Sequence, residues 1–245
     1  MQRYFVTSNN NEIIFSTDDI FHISVVMRNK INDLIEIVLD SNVYLAKIIS
    51  FKPFKVEIVS KIEENHELNG FIRLILCSLR GDKNEFVIQK AVELGVKEII
   101  IVESTRSVSK ILDKKDSKLV RYKKIIKEAK EQSKRTFDVN IDILSFKDIS
   151  NLKSDLSIIP YEATNESISN LGIILNECKD KIVNVIIGPE GGFTKGEVEY
   201  CHSLNYKEVS LGRRILRSET ASLFILSLFP TLERAQKMAF SLSQG

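Results

Sequence analysis

Two short segments of this chain combine residue types that could do chemistry. In the first, Ile186-Ile187-Gly188-Pro189-Glu190-Gly191-Gly192-Phe193-Thr194, an apolar run meets three glycines within five residues. Glycine lets a backbone approach a ligand closely and reach conformations closed to other residues. The pattern is neither GxGxxG nor GxxxxGKS/T, and no lysine stands in the phosphate-loop position. Glu190 inside the loop would repel a polyphosphate, so a neutral or cationic nucleoside suits it better. A tight strand-to-helix turn that holds no ligand is the competing reading. In the second segment, Leu211-Gly212-Arg213-Arg214-Ile215-Leu216-Arg217-Ser218-Glu219-Thr220-Ala221, glycine again follows an apolar run and three arginines crowd the loop. Arginines in a solvated loop are commonly surface residues. Arg217, between Leu216 and a candidate Ser218 helix cap, is less free than most, and Glu219 suits a first helical turn.

These loops need elements to hold them. Thr194 and Glu197 have the T-x-x-E spacing of a capping box, which starts a helix over Lys195–Leu204. A strand over Val183–Ile187 precedes the glycine loop, and one over Glu208–Leu211 precedes the arginine loop. Upstream, apolar and β-branched runs predict strands at Ile72–Leu79, Ile99–Val102, Val139–Leu144 and Leu156–Pro160. Helices are expected over Glu85–Leu94, capped by Gly95, over Leu119–Ser133, over Ile168–Cys178 and from Glu219 onward, where Pro230 should kink or end the helix. Such alternation gives a mostly parallel sheet covered on both faces, with ligands at the carboxyl ends of its strands. The first third differs. Short strands at Tyr4–Val6, Glu12–Phe15, Leu34–Leu39, Val43–Ile49 and Val56–Ile62, with one helix opening at Thr17, suggest a compact barrel. The polar stretch Lys61–Asn69 reads as a linker, so two domains are expected, 1–69 and 70–245.

Composition narrows the function. Of 245 residues 43% are hydrophobic and 28% charged, an ordinary globular balance, and a net charge of +2 says little about partners. Cys77, Cys178 and Cys201 form no CxxC pair or Cys/His cluster, so no metal is expected and a reducing cytoplasm fits. The start MQRYFVTSNNNE lacks a secretory pattern, and the longest uncharged stretch, Thr220–Leu232, is too short to span a membrane. Charge placement is more telling. Lys114–Arg135 holds ten Lys/Arg against three acids, and on a helix Lys123, Lys127, Lys130 and Lys134 form one stripe beside Leu119, Tyr122, Ile126 and Ala129. The stripe is either a solvated face or, with Arg135, a phosphate-binding one. His66 reads as a linker histidine and His202 as a structural one.

Taken together, IIGPEGGFTKGEV and LGRRILRSETA resemble the signatures of the RsmE family, SPOUT-superfamily methyltransferases of small-subunit ribosomal RNA that act on N3 of a uridine. The likeness extends to SLRGDKNEFVIQKAVELGV (Ser78–Val96), EQSKR (Glu131–Arg135), PYE (Pro160–Glu162), HISVVMR (His22–Arg28) and RYF (Arg3–Phe5). The family often has Gly where Asn32 stands, and usually Gly where Lys134 stands and Pro near Val139.

The resemblance implies an α/β fold: an N-terminal PUA-like β-barrel and a C-terminal SPOUT domain with a trefoil knot, assembled as a homodimer. It implies S-adenosylmethionine held by Pro160, Tyr161, Ile187, Gly188, Pro189, Glu190, Gly191, Gly192, Leu211, Gly212, Ile215 and Leu216. Arg217 would stabilise the developing uracil anion, because a guanidinium cannot act as a base but can face negative charge. Glu219 would orient Arg217 or the helix cap. Arg3 and Arg28 would add RNA contacts to the lysine stripe and Arg135. Three rivals remain at this level: a ribose 2′-O-methyltransferase, an RNA-binding module without catalysis, and a nucleotide-dependent enzyme, the last disfavoured by Glu190.

Overall fold

A computed structural model describes residues 2–10, 12–107, 110–161, 178 and 180–243, with side chains of the last helix described to residue 234. The chain divides into two compact units. One comprises Met1–Glu67 with Lys130–Asp138, the other Leu68–Ala129 with Val139–Gly245.

In the first unit β1 (Arg3–Phe5), β4 (Leu34–Leu39), β5 (Asn42–Phe51) and β6 (Phe54–Ile62) form a four-stranded sheet in the order β1-β4-β5-β6. β1 runs parallel to β4, and the other pairs are antiparallel. β2 (Thr7–Asn9) and β3 (Glu12–Ile14) form a separate hairpin. α1 (Thr17–Phe21) begins at a capping box between Ser16 and Asp19, which satisfies backbone donors at its start. Tyr4, Ile23, Ile35, Ile37, Ala46 and Ile48 fill the core of this unit. Turns follow side-chain chemistry: Asn32 has φ 76, and Asp40 and Ser41 have φ 48 and 61. Asn and Asp tolerate this left-handed region because their short polar side chains bond locally. Asn32 therefore does the work of the glycine found there in the family it resembles.

The second unit is built on six strands in the order β12-β10-β11-β7-β8-β9. They are β7 (Phe71–Cys77), β8 (Glu98–Glu103), β9 (Asn140–Ser145), β10 (Leu156–Pro160), β11 (Ile182–Ile187) and β12 (Tyr206–Val209), and every pair is parallel. Alternate residues of β7 point to opposite faces, as a strand requires. Leu74 and Leu76 pack with Val87, Ile88 and Ala91 of α2 (Lys83–Glu93), Tyr122 and Ile126 of α3 (Lys115–Gln132), and Ile225, Leu226 and Phe229 of α5 (Ser218–Ser243). Ile75 and Cys77 pack with Val198 and Cys201 of α4 (Lys195–Ser203), and with Phe146 and Ile149. Each such buried aliphatic side chain contributes about 1.5–3 kcal/mol. The sheet is thus covered on both faces, as the alternating pattern predicts, and all three cysteines are buried and free.

Local details refine the expectations. At the end of α2, Gly95 has φ 94, its N–H bonds the Val92 carbonyl, and the Val96 N–H bonds that of Ala91. This is the glycine-closed end that the sequence suggests. α5 starts one residue earlier than a Ser218 cap would allow, because the Arg217 carbonyl already accepts the Ala221 N–H at 2.8 Å. It also runs through Pro230 instead of ending there. Proline forfeits one helical hydrogen bond, and the buried Ile225, Leu226 and Phe229 anchor the helix on its N-terminal side. The helix expected over Ile168–Cys178 lies outside the described residues, Cys178 excepted.

In the first unit Arg135 is buried and pairs with Glu67, which also accepts the backbone N–H groups of Thr136 and Phe137. Burial works to raise the Glu67 pKa, but the guanidinium and these N–H groups outweigh it and hold the carboxyl below its ordinary 4.5. A depressed folded pKa adds stability above the unfolded value, and that stability is lost as pH falls through the folded one. Urea unfolding should therefore show Arg135→Ala losing about 3 kcal/mol near neutral pH. The deficit relative to wild type should shrink as the pH falls through the lowered Glu67 pKa, where the carboxyl protonates and no longer needs a cation.

Candidate active site

Parallel strands in register bring their carboxyl ends to one level. β12, β10 and β11 are neighbours, with Pro160 opposite Val209, and the Tyr161 N–H donates to the Val209 carbonyl at 3.1 Å. The chain leaving each strand therefore enters the same space. There it encloses a cavity of about 460 Å³, within the range of small-molecule sites.

Glycines shape its walls. Gly192 and Gly212 have φ 66 and 115, a region that side chains avoid. At Gly188 an added Cβ would sit 3.0 Å from the buried ring of Phe193. Eleven of the twelve positions expected to hold a cofactor line the cavity: Pro160, Tyr161, Ile187, Gly188, Pro189, Glu190, Gly192, Leu211, Gly212, Ile215 and Leu216. Gly191 does not. It faces Arg106, whose guanidinium donates to the carbonyls of Gly191 at 2.9 Å and Phe193 at 3.2 Å, bracing the loop from behind. Glu197 closes the capping box of α4 and also accepts the Thr105 N–H at 2.8 Å, a second brace.

Arg217 lines the cavity and is exposed, whereas Glu219 lies outside its lining. Among the described residues Glu219 makes no hydrogen bond or ion pair with Arg217. It pairs with Lys83 at 3.4 Å, and the same ammonium meets Glu190 at 3.3 Å. Lys83 thus joins the glycine loop to the start of α5. Burial works against ionisation of Glu190, yet the Arg80 N–H and Lys83 hold its carboxyl below the usual range. Sequence reasoning missed Lys83, Arg106, Ser210 and Phe193. The signal available for Lys83 was its place in the SLRGDKNEF stretch, at the first residue of α2.

The expected RNA contacts divide. Arg3 is buried against Glu36 and Glu64, Lys130 sits 3.8 Å over the Phe5 ring and pairs with Asp138, and Arg135 is held by Glu67. Their charges are engaged inside the first unit rather than offered to solvent. Lys134 lies beyond the end of α3 with φ 55, off the proposed stripe, and pairs with Glu36. Lys123 and Arg28 are exposed and Lys127 partly so. His202 forms a surface pair with Glu208.

Residues 66–230 match the RNA methyltransferase domain family. Ribosomal RNA small subunit methyltransferase E of Bacillus subtilis is 35% identical over 93% of this chain and 95% of its own. Its counterpart in Mesomycoplasma hyopneumoniae is 32% identical over 93% and 98%. The chain belongs to this methyltransferase E family. A crystal structure of the Neisseria gonorrhoeae family member bound to S-adenosyl methionine superposes with a TM-score of 0.83 at 25% identity, covering 95% of this chain and 98% of that one. The family likeness spans both loops that wall the cavity.

Two glycine replacements should separate wall from brace in this family member. Gly188→Ala should cost about 1–3 kcal/mol in urea unfolding, because the buried Phe193 ring cannot retreat. Gly191→Ala meets the Arg106 Cβ at 3.3 Å and its carbonyl oxygen at 3.8 Å, a looser contact on an exposed residue that should cost less, about 0.5–1 kcal/mol.

Proposed function

We propose that this chain methylates N3 of a uridine in small-subunit ribosomal RNA, with S-adenosylmethionine as donor, in the cytoplasm. The observation that carries this reading is one cavity walled by three strand exits with Arg217 on its lining. Its size suits a folded nucleoside, its glycines expose main-chain donors and acceptors, and Lys83 already neutralises Glu190. A glycine loop without the phosphate-loop lysine fits an adenosyl ligand better than a polyphosphate.

When bound, the donor supplies a methyl group activated by positive sulfur, whose departure needs no acid. The protein's part is positioning and charge. Tyr161 and the Gly188–Gly192 and Leu211–Leu216 loops fix the donor, and holding the partners at about 3–3.5 Å supplies a large share of the rate. The N3 proton passes to water, leaving negative charge on the uracil. The Arg217 guanidinium stabilises that charge and takes no proton itself. On the RNA side, Lys123 and Lys127 of α3 and, separately, Arg28 of the first unit offer cations to phosphates.

The chain also works as a homodimer in this reading. Phe224 on α5 and Phe86 on α2 are 41% and 45% exposed although both helices pack on the main core. A second copy would cover such rings.

Arg217→Ala should lower turnover by at least about 100-fold, the scale of removing one preorganised donor to a developing anion. Donor affinity by calorimetry should change less than about 3-fold, since the group acts on the transition state. Nucleoside mass spectrometry of treated ribosomal RNA should find N3-methyluridine with wild type. A 2′-O-methyl product, or full activity of the variant, contradicts the assignment. Gel filtration should give twice the chain mass, and a monomer at working concentration removes the dimer.

A further inference from the structure

Arg213 and Arg214 belong to the Leu211–Leu216 loop, but the side chains assigned there to the donor are Leu211, Ile215 and Leu216, and charge stabilisation falls to Arg217, so their guanidinium groups are left without an assigned task. Both line the mouth of the cavity and both are exposed. The nearest carboxylates are taken: Glu190 in the lining by Lys83 and the Arg80 N–H, and Glu219, outside it, by the same lysine. With Arg217, the loop between Gly212 and α5 thus presents three guanidinium groups in five residues, none with an ion pair or hydrogen bond among the described residues. The start of α5 adds the partial positive charge of a helix N-terminus. Between the arginines, Ile215 is 82% exposed, an aliphatic side chain standing in water at the cavity rim.

What ligand answers to this pattern? A donor amino acid brings one carboxylate and satisfies at most one guanidinium. Two adjacent arginines with rigid forks match successive phosphates of a nucleic-acid strand, because each fork can hold a phosphate bidentately. An exposed aliphatic group beside them offers a base its apolar face. We propose that Arg213 and Arg214 grip consecutive phosphates of single-stranded RNA at the rim, so that the nucleotide they flank is presented to the cavity over Ile215. This assignment rests on the methyltransferase reading for the cavity itself. It places the decisive RNA grip on the catalytic loop, in addition to the exposed lysines of α3.

A short single-stranded fragment of small-subunit ribosomal RNA, labelled and titrated over a salt series, provides the test. Wild type, Arg213→Gln/Arg214→Gln and Arg213→Lys/Arg214→Lys are compared, with donor binding by calorimetry and gel filtration run in parallel. Each phosphate contact on a single strand contributes about 0.7 to the slope of log affinity against log salt. The glutamine pair should lower the slope by about 1.4 and weaken binding at least about 10-fold at low salt. The lysine pair should keep most of the slope, because the charge remains. Unchanged RNA affinity and slope overturn the proposal. So does a weakened donor affinity, which would mean the arginines hold the donor carboxylate, or a shifted elution volume, which would mean they hold a second copy. Should wild type bind RNA through these residues yet transfer no methyl group, the rim assignment stands and the methyltransferase reading falls.

Discussion

Parallel pairing of β10 with both β11 and β12 is the constraint from which the site follows. Parallel strands end at a common level, so the chain leaving each is forced into one volume at the sheet's edge. A buried apolar sheet supplies the energy for that alignment, and slipping any strand by one residue would exchange the rows that pack into its two cores. The glycines then act on a scaffold already fixed. They do not create the cavity; they keep its walls thin enough for main-chain atoms to reach a ligand.

Charge inside this space is arranged in two tiers. In the wall, Lys83 links Glu190 and Glu219, and behind it Arg106 ties down the carbonyls of the glycine loop. These interactions hold two loops and a helix start in a fixed relation. At the mouth, the arginines of the second loop remain uncommitted among the described residues, available to an anionic partner. The first unit shows the opposite use of basic residues. There Arg3, Lys130 and Arg135 are drawn inside and matched with carboxylates or an aromatic face, and their removal would harm folding before binding.

Much of this was legible in the sequence, for identifiable reasons. The α/β alternation shows in apolar runs of strand and helix length, and local rules of capping placed the start of α4 and the end of α2. Loop walls were legible because glycine and proline have few other uses at a strand exit. Burial of Arg3, Lys130 and Arg135 was not, since a basic residue looks alike whether its carboxylate partner is distant in sequence or absent: Arg135 meets Glu67 across 68 positions. The same blindness hid Arg106 and Lys83. Periodicity also carried Lys134 past the end of α3, where its left-handed backbone breaks the stripe. The knot implied by the family is a property of threading, and no local pattern of residues expresses it.

Crystals of the protein soaked with S-adenosylmethionine would test the central claim most directly. The account requires adenosyl density inside the cavity, bonded to main-chain atoms of the Gly188–Gly192 and Leu211–Leu216 loops, with the methyl group facing Arg217. Density bound elsewhere, or a methyl group turned away from that guanidinium, would contradict it.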